Sequence, residues 1–195
     1  MTTTCNDPID RAAKHAASML AELGIAGVDD LTPHRMVRAL DELAAGRWVD
    51  PRRHLAVEFP PVSERPGLVV VTDVPFTSLC EHHVLPFTGI ATVAYLPGPG
   101  EAIIGLSKLA RMVVDYAARP QVQERLTDQI AQALADRPGT LGAACAIRGV
   151  HACMALRGAR TGARVGMVTT QYVGALDQQP WRGDFAARLT GPAWS

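Results

Sequence analysis

The sequence carries no excess of charge. Nineteen lysines and arginines balance nineteen aspartates and glutamates over 195 residues, a formal net charge of zero. Such a chain has no general attraction for nucleic acid or an anionic membrane, so any anion it binds must be held by a local cluster. No apolar run is long enough to cross a bilayer, and the polar start Met1-Thr2-Thr3-Thr4-Cys5-Asn6 is unlike a secretory leader. Internal repeats and low-complexity tracts are also missing. Cysteine is scarce, with four in all. A cytoplasmic, reducing location is expected, and there so few cysteines suit a metal better than disulfides. The apolar fraction of 48% and the length suffice for one domain with a real core.

What the chain does have is concentrated in two stretches. Cys80-Glu81-His82-His83 packs a thiolate donor and two imidazoles into four residues. Cys80 and His83 have C-x-x-H spacing, and a tight turn can aim both at one ion. His82 is then left over for acid–base work. Alone, this spacing fits a buried cysteine beside surface histidines equally well. The second stretch, His151-Ala152-Cys153-Met154-Ala155-Leu156-Arg157, alternates. As a strand it would put His151, Cys153 and Arg157 on one face and Ala152, Met154 and Leu156 on the other. Cys80, His83 and Cys153 would then form a three-ligand zinc site with its fourth position open, the pattern of catalytic zinc. Cys153 as a small buried hydrophobe is the competing reading. His82 and His151 are the natural proton carriers beside such a metal. Arg157, Lys108 and Arg38 could bind phosphate.

The rest of the chain reads as alternating helices and strands. Asp7 caps a helix with Pro8 in its first turn, and Ile9, Ala13, Ala16, Met19 and Leu23 keep helical spacing up to Gly24. Thr32 and Pro33 start a second helix with Val37, Leu40 and Leu43 as its buried stripe, ending at Gly46. Arg35 and Arg38 share one side of it, where spacing alone suggests a solvated basic face. A Pro- and Arg-rich connector with a short possible strand at residues 55–59 leads to a strand at 68–72 that delivers the chain to Cys80. A strand at 87–96 follows. Ser107 caps a helix to about Pro120, and Pro120 opens another in which Val122, Leu126, Ile130 and Leu134 face the core while Gln123 and Glu124 lie off the stripe. Residues 141–147 and 150–156 read as one long strand bent at Gly149, 165–173 as another, and 179–189 as a last helix. Helix pairs between antiparallel strands predict a single α+β domain. Cys5 and Cys145 read as free thiols.

Four separated motifs carry a resemblance. The segment from Ser78 to Phe87, Gly105 to Arg111, Arg119 to Thr127, and His151 to Met154 resemble GTP cyclohydrolase I, most densely between Val71 and Arg157. The resemblance implies a T-fold, with an N-terminal helical segment (residues 1–50) preceding a zinc-containing catalytic unit (residues 51–195). It implies strands that join neighbouring subunits into a barrel, pentamers stacked as a homodecamer, and sites shared between subunits. It implies Zn2+ as cofactor and GTP as substrate, with the guanine imidazole opened, formate released and the product rearranged to 7,8-dihydroneopterin triphosphate for folate or other pterins. Carried over residue by residue, His151 would protonate the purine nitrogen and His82 would assist ring opening and rearrangement. Glu124 would accept from the guanine N–H groups, with Gln123 beside the base. Ser107 and Lys108 would meet the sugar and triphosphate, Arg157 the triphosphate, and Arg35 and Arg38 the triphosphate of a neighbouring subunit's substrate.

The pattern departs from the family at several points. Arg148-Gly149-Val150 replaces an acidic, Ala-containing segment, and Arg160-Thr161-Gly162-Ala163-Arg164 stands where Lys-Pro-Gly-Ser is expected. Thr92 occupies a common His position, Arg38 a Lys position, and the usual Arg-Glu-Gly-Leu before Thr32 is missing. These leave two alternatives open: a divergent paralogue that stops after ring opening or serves secondary metabolism, and a non-enzymatic purine- or pterin-binding protein with structural zinc.

Overall fold

The computed structural model describes residues 7–25, 29–61, 63–64, 66–190 and 194. The start expected to fray, Cys5 included, lies outside the described residues. Helix α1 (Pro8–Glu22) begins where Asp7 accepts a hydrogen bond from the Ile9 N–H at 3.0 Å. Its small Ala13 and Ala16 are buried, and it packs on α2 (Thr32–Leu43). Leu31, not Thr32, is the residue preceding that helix. Val37, Leu40 and Leu43 are only half-buried. Met19 and Leu23, expected on a buried stripe, are 43% and 66% exposed.

The chain then makes two short 3-10 turns and the strands β1 (Glu58–Phe59), β2 (Val69–Cys80), β3 (Pro86–Pro97) and β4 (Ile103–Ile104). Helix α3 (Leu106–Ala117), strand β5 (Pro120–Gln121) and helix α4 (Gln123–Ala135) follow. Strand β6 (Thr140–His151), a helical turn α5 (Ala152–Ala155), strand β7 (Met167–Gly174) and helix α6 (Trp181–Ala186) complete it. The main sheet has the order β5-β2-β3-β6-β7, antiparallel throughout except where β5 runs parallel to β2.

Period-two alternation divides the sheet into two faces. Val93, Tyr95, Cys145 and Ile147 point to one side, where Leu109 and Met112 of α3 and Leu126 and Ile130 of α4 close a fully buried core. Each such aliphatic side chain contributes about 1.5–3 kcal/mol of burial. The opposite face presents Ala94, Ala144 and Ala146, and these small residues let Leu176 and Phe185 of the C-terminal segment lie close. Cys145, read as a free thiol, is one in the core, and burial pushes its pKa far up.

Several expectations are corrected here. The strand expected at 68–72 extends to Cys80, crossing a bulge between Val71 and Val74 where Asp73 takes φ 56°. Pro75 is tolerated because β2 has a second neighbour only at Leu79–Cys80 and is otherwise an edge. Gly105 precedes α3, so Ser107 lies inside its first turn rather than capping it. Pro120 belongs to β5, and α4 begins three residues later. Gln123, expected off the buried stripe, is 1% exposed. The last helix is shorter than 179–189.

The most consequential correction concerns residues 150–156. Strand β6 stops at His151, and Ala152–Ala155 coil into a helical turn closed by Leu156 N–H to Ala152 O at 3.1 Å. The cause is the ladder. Phe87 opposite His151 is the last rung on the β3 side, and Met167 opposite Gly149 the last on the β7 side. Beyond them an extended chain would leave its backbone groups unpaired, and a helical turn pairs them locally. His151, Cys153 and Arg157 therefore do not share a strand face.

Candidate metal centre and its surroundings

Cys80 closes β2, and the next residues turn sharply before Pro86 opens β3. The turn is tied by Val84 N–H to Cys80 O and Cys80 N–H to Leu85 O, both 2.8 Å. Val84 pays for this with φ 53°, a left-handed conformation rare for a β-branched residue. Glu81 fastens the turn to its neighbour. Its N–H donates to Gln121 O at 3.0 Å, and its carboxylate pairs with Arg125, which also donates from Nε to Gln121 Oε1 at 3.1 Å. The hydrogen bond from Arg125 holds the Glu81 carboxyl below the usual range.

The helical turn after β6 brings Cys153 to this loop. The Cys80 and Cys153 sulfurs and a ring nitrogen of His83 all lie within 4.8 Å of one another. Cys80 Sγ and His83 Nδ1 are 3.6 Å apart. Zinc–sulfur and zinc–nitrogen bonds of about 2.3 and 2.05 Å at a tetrahedral angle span about 3.6 Å, so this pair has the length of a tetrahedral edge. Burial, followed by the neighbouring Cys80, pushes the Cys153 thiol up. A bound cation reverses that balance, because a coordinating thiol gives up its proton. The donor set is therefore soft, compact and suited to a divalent metal.

Two further histidines, side chains able to carry a proton, stand near it. His82 is exposed, its ring nearly perpendicular to that of His83 with centroids 6.3 Å apart. His151 stacks on Phe87 and bonds through Nε2 to Gln123 Oε1 at 2.9 Å. Burial lowers the His151 pKa, and the charge of nearby Glu124 opposes that shift. Glu124 is exposed in the first turn of α4. Arg157 is exposed, and its charge acts on Cys153.

The other expected site residues are elsewhere. Ser107 and Lys108 line a cavity of about 640 Å³ with Val69 and Tyr95, at the opposite end of the β2–β3 pair from Cys80. Helix α3 separates them from the β5 rung beside Cys80, a length of about 18 Å at 1.5 Å per residue. Arg35 lies 3.5 Å from Asp29, and Arg38 is exposed on α2. Two contributors escaped sequence reasoning. Phe87 and Arg125 each lay inside a motif that carries the resemblance, but neither had a role assigned to it.

The model of the family described as GTP cyclohydrolase I matches residues 13–189. This chain belongs to the GTP cyclohydrolase I family. Among relatives, a protein of Rhodopirellula baltica named GTP cyclohydrolase 1 is 48% identical over 66% of this chain and 55% of its own length. Proteins of the same name from Mycobacterium ulcerans and Mycolicibacterium vanbaalenii are 46% and 48% identical, each over 71% of this chain and 66% of its own length. The matched stretch thus spans less than two thirds of these relatives. The antiparallel sheet backed by α3 and α4 is the T-fold arrangement of the family. Among the described residues no helix is long and apolar enough to cross a membrane.

Proposed function

We propose that this chain is a zinc-dependent GTP cyclohydrolase that opens the guanine imidazole of GTP, releases formate and yields 7,8-dihydroneopterin triphosphate. One observation carries this reading. A compact Cys80–His83–Cys153 donor set stands beside two histidines outside that set, in a chain of this family. A metal clamp alone has no need of His82 and His151.

Cys80, His83 and Cys153 hold the zinc. Zinc there supplies Lewis acidity that makes water nucleophilic near neutral pH. His151, held in place by Phe87 and Gln123, delivers a proton to the purine nitrogen. His82, exposed on the same turn, moves protons during ring opening and rearrangement. Glu124 accepts hydrogen bonds from the guanine N–H edge, and Arg157 neutralises phosphate.

Ser107, Lys108, Arg35 and Arg38 complete the sugar and triphosphate contacts from neighbouring copies. The length of α3 between Ser107 and this chain's own metal turn supports that division. So do the exposed apolar residues Met19, Leu23 and Leu31 on the α1–α2 segment. The protein is accordingly a ring-based homo-oligomer, its subunits joined through sheet edges into pentamers that stack as a decamer. The N-terminal helical segment of residues 1–50 reaches a neighbour, residues 51–195 form the catalytic unit, and the enzyme works in the cytoplasm.

The test is incubation of zinc-loaded protein with GTP, measuring formate and the fluorescence of oxidised neopterin. Both products are expected. Formate without fluorescence would assign the chain to ring opening alone. Neither product, with zinc content verified, would overturn the proposal in favour of a binding protein.

A further inference from the structure

The family resemblance puts Gln123 beside the guanine. Its surroundings in this chain assign it other work. The side chain is 1% exposed, and its polar atoms are already engaged. Nε2 lies 3.0 Å from Met167 O, 3.3 Å from Ile147 O and 3.1 Å from Thr169 Oγ1. Two of these neighbours are backbone carbonyls, which can only accept, so the nitrogen of the carboxamide must face them. That orientation leaves Oε1, an acceptor with no proton to give, facing His151 Nε2 at 2.9 Å.

The threonines lock the same choice. Thr127 Oγ1 donates to Gln123 O at 2.8 Å, so across the 2.6 Å contact Thr169 must be the donor to Thr127. The Thr169 oxygen is then available to accept from Gln123 Nε2. Gly149 makes room for the arrangement, since a Cβ there would stand 2.5 Å from Gln123 Oε1. On the other side, the flat face of Phe87 fixes the plane of the ring.

We infer that Gln123 is a positioning residue, held by Thr127, Thr169 and two carbonyls, that keeps a hydrogen on His151 Nε2 throughout and so makes Nδ1 the nitrogen that exchanges a proton with the bound molecule. Gln123 itself touches no substrate. The kinetic half of this inference rests on the proposed role of His151 in proton transfer; the structural half does not. The device resembles the partners that orient metal-ligating histidines, applied here to a histidine beside the metal rather than on it.

The experiment is magic-angle-spinning 15N NMR on the sedimented, zinc-loaded full-length protein labelled at histidine, with His151 assigned by its loss in His151→Asn. At pH 8 the wild type should show a protonated Nε2 and a bare Nδ1. In Gln123→Met, which keeps volume and loses both polar atoms, the two tautomers should mix. With GTP, kcat should fall by about ten- to a hundredfold, the cost typical of lost orienting partners, while KM stays within about twofold. A wild-type signal with the hydrogen on Nδ1 would overturn the inference, and it needs no variant to fold. So would an unchanged tautomer in Gln123→Met, or a raised KM with kcat retained, which would return Gln123 to the substrate. Because the NMR arm requires no turnover, failure to process GTP would count against the proposed function and leave this inference separately decided.

Discussion

Phe87 and His151 lie flat against each other, ring centroids 4.3 Å apart and planes within 5°. They are opposed residues on the last rung between β3 and β6. The rung is both the end of the sheet and one wall of the metal site. Replacing Phe87 by Leu keeps an apolar side chain and removes the stack, which is worth about 0.5–1.5 kcal/mol beyond burial. We expect denaturant unfolding to report a loss of about that size, and steady-state kinetics a fall in kcat larger than any rise in KM. A variant with unchanged kcat would show that the ring plane of His151 is held without Phe87.

Ligand and proton carrier should separate under mutation. Cys153→Ala should lose metal and activity together, because two protein donors remain and binding is coupled to local order. His151→Ala should retain metal and lose product formation. Elemental analysis of the purified proteins decides it; loss of metal from the His151 variant would show that this histidine is a ligand.

Arg125 braces the metal turn through Glu81 and Gln121. Arg125→Met should weaken metal retention by about ten- to a hundredfold in chelator competition. Global stability should change little, since the ion pair is largely solvated. Unaltered chelator competition would mean the turn holds its shape alone.

Tyr95 gives the protein an alkaline limit. It is fully buried, and burial raises its pKa above the usual value near 10 although its oxygen accepts a hydrogen bond from the Ile104 N–H at 2.8 Å. In the folded state it keeps its proton at a pH where the unfolded chain has released it. Its contribution is therefore intact below pH about 10 and is lost as pH climbs past that value toward the folded pKa. Tyr95→Phe should be less stable at pH 8, by about 1–3 kcal/mol for the stranded Ile104 donor, yet should flatten the decline above pH 10. Parallel slopes for the two proteins would refute this.

Subunit sharing predicts complementation. Arg38→Ala and His151→Ala should each be inactive, and mixing them under conditions that exchange subunits should restore part of the activity. Proven exchange with no recovery would place Arg38 outside the site, and a fully active monomer would end the shared-site reading.

What the sequence made legible was local. The C-x-x-H turn, the Asp7-Pro8 helix start and the period of α4 depend on neighbours within a few residues, and those neighbours are visible in one chain. What it hid was set by distant partners. His151 to Arg157 alternates like a strand, but strandedness needs a ladder, and the ends of β3 and β7 remove it after His151. Gln123 reads as a surface residue because the groups that bury it, Ile147 O, Met167 O and Thr169, lie on two later strands. Ser107 and Lys108 sit in order between the metal motifs, but the order of motifs does not reveal that α3 starts at the far end of the sheet.

The metal donors come from two segments separated by 73 positions, Cys80 to Cys153, and the strands that bring them together meet on the rung of Phe87 and His151. As the chain leaves the ribosome, Cys80 and His83 emerge long before their third partner. Until β6 has zipped onto β3, the early pair can offer an ion only two footholds. Full-strength capture of metal by these donors would thus be a late event, one that follows closure of the longest-range pairing around the site rather than guiding it. A chain that stalls before β6 lacks the third donor, and the set of three forms only once the β3–β6 rung has closed.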